Sequence, residues 1–415
     1  MELTTGYNLT EAGLIPEDWD IKPLGSVLSK GRLGGNYANQ DAEAELPLMK
    51  MGNLARGTFD LSKVQFIAPR VLPEPSHRLV YGDVLFNTRN TLDLVGKVAI
   101  WRDEIPVAYY NSNLMRLEFD AGQVCSNEYA NYALNTVGVI SRLRGLATGT
   151  TSVAAIYTRD LLKLPIIVPP LSEQRAIANA LGDMDALLAA LEKKIAKKRD
   201  LKQATMQQLL TCETRLPGFS GDWDLAEFGD VATIRNGKVL CSSTPEGTPC
   251  VELEFIGQAN GRLNGFIEAT GASSKYSFKK GDVLFGRLRA YLRKYWMATF
   301  DGVCSTEIWP LIPRDERLDG GYLHLLVQMN SFVDAACVSY GTHMPRSDWS
   351  VLRKFLVRLP SVSEQIAISA SLSDMDAELE ALEKSLEKLR LLKQAMMQEL
   401  LTGSTRLIAK EESHV

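Results

Sequence analysis

Seven basic side chains, Lys275, Lys279, Lys280, Arg287, Arg289, Arg293 and Lys294, fall within twenty residues that hold a single acid, Asp282. Tyr276 and Tyr291 are interleaved with them and Tyr295 comes directly after. A run of this kind can neutralise phosphates, and arginine can do more, because a planar guanidinium bonds two acceptors of guanine in the major groove. A solvated surface face is the competing reading, since charge runs usually face water. The first half of the chain has a counterpart in Asn87, Thr88, Arg89 and Asn90, with Lys97 a little further on. It is less basic but rich in groups that can bond base edges, and Asn90 is a candidate adenine reader. The Gly-rich turns "SKGRLGGN" at Ser29 and "RNGK" at Arg235 would bring backbone, with Lys30, Arg32, Arg235 and Lys238, close to phosphates. His343 and Arg346 in "GTHMPR" are a further candidate contact, although a lone histidine is more often a structural hydrogen bonder.

Catalysis finds little material by contrast. There is no GxxxxGK[ST] loop, no GxGxxG, no HExxH and no GxSxG elbow. His77, His324, His343 and His414 stand singly. The Asp-Met-Asp triplets at Asp183 and Asp374 do not make a metal site, because helix residues two apart point about 200° apart. The six cysteines are scattered without a CxxC pair, which argues for reduced thiols rather than disulfides or zinc. The reading is a non-catalytic chain that binds no cofactor or metal.

Candidate loops need a scaffold, and the scaffold is written twice. At a constant offset of 191, Ser172 to Thr211 and Ser363 to Thr402 agree at about 26 of 40 positions, and Thr214, Arg215 and Leu216 continue the match against Thr405, Arg406 and Leu407. Ile368, Leu372, Met375, Leu379, Leu382, Leu386 and Leu389 alternate spacings of four and three, the seam of a left-handed coiled coil. Ile177, Leu181, Met184, Leu188, Leu191 and Ile195 form the same seam in the first copy, which weakens where Lys198 and Lys202 take apolar positions. Ser172 and Ser363 are expected to cap these helices, and Pro169, Pro170 and Pro360 to bar their extension backwards. Helices of about 40 residues are far longer than a globular core requires. Their likeness predicts an antiparallel pair.

The regions before and between the helices echo each other in landmarks: "EDWDIKPLGSV" against "GDWDLAEFGDV", and "GDVLFNTRN" at Gly82 against "GDVLFGRLRA" at Gly281. A Gly-Asp turn feeding Val-Leu-Phe reads as a loop entering a short buried strand. The residues beyond that strand are polar in both copies but different in detail, as expected of a chain that recognises two different things in the same way. The predicted fold is α+β, with two globular regions in pseudo-two-fold arrangement separated by two long antiparallel helices forming a coiled coil. Boundaries are expected at 1–160, 161–215, 216–352 and 353–408, with a tail at 409–415. The chain has 415 residues and a net charge of −4, so any anionic partner must be held by local patches. Its amino terminus lacks a basic patch leading into an apolar stretch, and no apolar run is long enough to span a membrane. A cytoplasmic protein is expected.

"PPLSEQRAIANAL", "KKRDLKQATMQQLLTCETRLPGF", "KKGDVLFGRLRAYLRKY", "DGVCSTEIWPL", "YGTHMPRSDW", "GDVLFNTRNTLDLVGKVAI" and "LPLMKMGNL" resemble the specificity subunits of type I restriction-modification systems. The resemblance runs from Met1 to Leu407, departing most at the amino-terminal segment. It implies two target-recognition domains, each reading one half of an interrupted double-stranded DNA site. It also implies helical regions that set the spacing and dock two methyltransferase subunits, with Glu173, Gln174, Glu364 and Gln365 as candidate partner-binding residues. Methyl transfer from S-adenosylmethionine to adenine, and ATP- and Mg-dependent translocation and cutting by restriction subunits, would then belong to partners. A coiled-coil assembly adaptor without specific DNA binding is the alternative from a different class.

Overall fold

The computed structural model describes residues 6–10, 13–150, 152–235, 237–338 and 345–408. Each Gly-Asp turn does what its residue types require. Gly82 and Gly281 both take φ of 91°, a left-handed conformation that costs glycine little, and the aspartate accepts a backbone N–H three residues back, Val80 N–H to Asp83 and Lys279 N–H to Asp282. The strands that these turns feed, Val84–Asn87 and Val283–Gly286, are buried at every position. Continuous apolar runs of this length are read as strands covered on both faces.

The chain divides into two compact units, Met1–Glu192 with Ser385–Val415, and Lys193–Lys384. The division falls within both long helices, Leu171–Leu210 and Val362–Thr402, so each unit holds one globular region and a part of each helix. In the first unit the Val84 strand lies between Val98–Ile100 and Leu114–Phe119, all antiparallel, with Leu28–Leu33 at the far edge. In the second the Val283 strand lies between Tyr295–Met297 and Ile308–Pro313, with Ala232–Ile234 outermost. The order is the same. A second mixed sheet packs beyond each, of four strands in the first unit and five in the second. Each unit has a main core against the helix segments and a smaller one between its sheets, built around Trp101 and Tyr110 or Phe278 and Trp296.

The helix segments run antiparallel within each unit. Arg390 meets Glu192 and Lys393 meets Asp185 in the first, while Lys198 meets Glu378 and Lys202 meets Asp376 in the second. Lys198 and Lys202, which interrupt the first seam, therefore form ion pairs with the facing helix. Met184, Leu188, Leu191, Leu382, Leu386 and Leu389 are half-buried, as suits a two-helix contact, and Ile195 and Leu379 are buried. The ends of the seam behave differently. Ile177 and Leu181 sit with Leu400 and Leu401 inside the main core of the first unit, and Ile368, Leu372, Met206 and Leu209 inside that of the second. An apolar stripe goes to the largest apolar surface within reach, and at the helix ends that surface is the globular region.

Both helices begin two residues earlier than Ser172 and Ser363 would allow as caps, at Leu171 and Val362. In the second, Ser361 takes that role, its Oγ accepting the Glu364 N–H at 3.3 Å. In the first the leading turn starts directly after Pro170, and Gln174 N–H donates to the Pro170 carbonyl. The amino-terminal segment also departs from its expected counterpart. Tyr7–Thr10 pairs with Gly13–Pro16 as a hairpin, and the place taken by Arg215 in the second unit is filled in the first by Arg406, from the other end of the chain. Arg406 lies over Trp19 and pairs with Asp18 and Glu173; Arg215 lies over Trp223 and pairs with Glu364. Among the described residues no helix is long and apolar enough to cross a membrane, and no group of three or more His, Cys, Asp or Glu could hold a metal ion.

Candidate nucleic-acid interface

The loop that leaves the buried strand is held the same way in both units. Asn87 N–H donates to the Lys97 carbonyl and Gly286 N–H to that of Lys294, at 2.9 and 2.8 Å. On the other side, Ile156 N–H donates to the Thr88 carbonyl and Ser347 N–H to that of Arg287, at 3.0 and 2.8 Å. Arg89 pairs with Ala155, and Leu288 forms the matching bridge to Arg346. These bonds set a correspondence in which Lys97 matches Lys294, Arg89 matches Leu288, and Asn90 matches Arg289.

The side chains on this frame differ, and several expected contacts are committed to the protein itself. Arg235 is not free for phosphate: its guanidinium donates to both oxygens of the buried Asp282, at 2.5 and 2.8 Å. Arg116, from a different strand, pairs with Asp83 through one oxygen only, and burial still pushes the Asp83 carboxyl above its ordinary range. Arg346 is doubly bonded to Glu307, and Lys294 reaches the Leu253 carbonyl. Arg293 donates to Asn330 Oδ1 and the Gln328 carbonyl, and Arg287 lies 5.0 Å over the Trp309 ring. Lys238 lies over Tyr276, and Lys275 pairs with Glu252. Arg289 and Lys280 are exposed. In the first unit Arg89 and Lys30 are exposed, while Arg32, half-buried, sits 3.7 Å from Glu118. Lys97 and Asn90 are half-buried, and Asn90 Oδ1 accepts the N–H of Thr91 at 2.8 Å. His343 lies outside the described residues.

Glu173, Gln174, Glu364 and Gln365 are fully buried. Gln174 accepts the Cys125 N–H and donates to the Gln123 and Pro169 carbonyls; Gln365 accepts the Asp319 N–H and donates to the Arg317 and Pro360 carbonyls. Each pair clamps the start of a helix to the globular region beside it. The arginine partners, Arg215 and Arg406, carry no weight in a reading of single residues. Their signal is the recurrence of Thr-Arg-Leu at the same offset as the Ser-Glu-Gln repeat.

The chain matches the family described as type I restriction modification DNA specificity domain twice, over residues 16–198 and 220–391. It is similar to the type I restriction enzyme MjaVIII specificity subunit of Methanocaldococcus jannaschii, at 22% identity over 95% of this chain and 94% of that one. It is also similar to the type I restriction enzyme EcoDI specificity subunit of Escherichia coli, at 24% identity over 90% of this chain and 84% of that one. The crystal structure of the type I restriction-modification S subunit from M. genitalium shares the fold, with a TM-score of 0.57 and 16% identity over 96% of this chain and 98% of that one. A recognition frame built twice and a family matched twice meet in one conclusion: the chain belongs to the type I restriction-modification DNA specificity family, as the non-catalytic DNA specificity subunit of such a system.

Proposed function

We propose that each globular region reads one half of a bipartite double-stranded DNA site. Residues 1–160 and 216–352 are the readers, and the helical regions 161–215 and 353–408 set the gap between half-sites and dock two methyltransferase subunits. Those partners use S-adenosylmethionine, and restriction subunits use ATP and Mg, in the cytoplasm. The observation that carries this reading is the pair of matched hydrogen-bond frames, which hold Thr88 with Arg89 and Arg287 with Leu288 in the same register; beyond them Asn90 continues as strand while Arg289 turns left-handed, so the two frames present different side chains. A shared frame with variable side chains gives two readers of one construction and different sequence preference.

The test is to exchange residues 218–352 for the matching region of a related specificity subunit and to map adenine methylation in cells that also carry the partner subunits. One half of the methylated motif should change while the other stays. Both halves changing together would overturn independent reading. Unmethylated DNA in cells carrying the original chain would overturn the function itself.

A further inference from the structure

We propose that Arg289 is a specificity-determining residue of the second recognition region and reads a guanine; this rests on the proposed DNA-reading function. Among the described residues its side chain makes no hydrogen bond, ion pair or ring contact, whereas Arg287 lies against Trp309, Arg293 is tied to Asn330 and Gln328, and Arg346 is tied to Glu307. Three of the four arginines around this loop thus build it, and the fourth is left over.

The backbone beneath Arg289 is unusually well determined for an exposed residue. Its φ and ψ are 53° and 56°, a left-handed conformation that a branched or long side chain adopts only when its surroundings impose it. Arg289 N–H donates to the Pro345 carbonyl at 2.9 Å, and its own carbonyl accepts Leu292 N–H at 2.8 Å. Arg293, at the far end of the same turn, is also left-handed, with φ of 51°. The turn is therefore pinned on both sides, and the guanidinium projects from a fixed root into solvent. A free, solvated guanidinium on a rigid turn can meet two parallel acceptors, which guanine presents as O6 and N7 and no other base does.

The correspondence between the units adds an independent argument. Arg289 occupies the position of Asn90, since each sits one residue beyond the pair that joins the loop to the segment ahead of the helix. In the first unit Asn90 has spent its Oδ1 on Thr91 N–H, so its capacity for two-point contact with adenine is reduced. The same place on the frame thus holds a side chain partly consumed by its own loop in one unit and an uncommitted guanidinium in the other.

The experiment uses the full chain assembled with its methyltransferase partners. Arg289→Lys keeps the charge and loses the planar fork; Arg289→Gly suits the left-handed backbone and removes the side chain without disturbing the turn. Each complex methylates a randomised duplex library with S-adenosylmethionine, and the methylated products are sequenced. The original complex should require a guanine at one position of one half-site. Both variants should lose discrimination there by about ten- to a hundredfold, with every other position unchanged. Uniform loss across all sequences, with the salt slope reduced by about one, would make Arg289 a phosphate contact and overturn the proposal. An unchanged motif would overturn it as well. If the original complex shows no bipartite motif, the DNA-reading function fails together with this inference, which separates the two failures.

Discussion

Gln365→Met separates a structural clamp from a partner contact. The Gln365 side chain is fully buried, and it bonds the Asp319 N–H at 2.8 Å, the Arg317 carbonyl at 2.8 Å and the Pro360 carbonyl at 2.9 Å. Methionine fills nearly the same volume, so little cavity is created. The loss is then the cost of backbone groups left without partners, about 1 to 3 kcal/mol for each that stays buried. Arg317 is exposed, so its carbonyl can recover a water, while Pro360 is buried. Counting the Asp319 amide and the Pro360 carbonyl gives about 2 to 6 kcal/mol. Hydrogen exchange read by mass spectrometry is the assay, because two units need not unfold in one step. Peptides from residues 193–384 should exchange about thirtyfold faster or more, Asp319 among the first, while residues 13–150 keep their protection. Gln174→Met should do the reverse, loosening the first unit. Unchanged exchange in Gln365→Met, together with lost capture of the methyltransferase subunit, would refute the clamp and make Gln365 a docking residue.

Buried groups give two further outcomes. Burial pushes His324 down to about 4 from an ordinary value near 6.5, so its contribution to stability is complete above pH 6.5 and is lost as pH falls towards 4. The second unit should be about 2 kcal/mol less stable at pH 5 than at pH 7 from this group. His324→Asn should remove that increment, because Asn131 at the matched helix position of the first unit donates to the Gly57 carbonyl without titrating. Denaturation of both proteins at the two pH values checks it, and an identical pH dependence would refute it. Alkylation of the native chain at pH 8 should modify exposed Cys337 first. The buried thiols Cys241, Cys250 and Cys304 should react only after unfolding, since burial also pushes Cys250 up to about 11. Labelling of Cys304 in the folded protein would contradict its place in the core between the sheets of the second unit.

The duplication, the long helices, the buried Val-Leu-Phe strands and the absence of catalytic motifs were legible in the amino-acid sequence by itself, because each rests on local spacing. A seam of alternating threes and fours, or a glycine in a Gly-Asp turn, carries its meaning within a few residues. What the tertiary structure decided is which partner each charged group would find. Arg235 and Arg289 look alike as basic residues near turns, yet one is spent on a buried Asp282 and the side chain of the other has no partner among the described residues. Glu173 and Glu364 look like exposed first-turn glutamates, yet each is buried beneath an arginine just past the end of the other long helix, Arg406 or Arg215. Ile177 and Ile368 belong to a heptad pattern, yet they pack into globular cores. Periodicity says which face of a helix is apolar. Only the contacts between residues far apart in the chain say what that face meets, and whether a cation is left over for DNA.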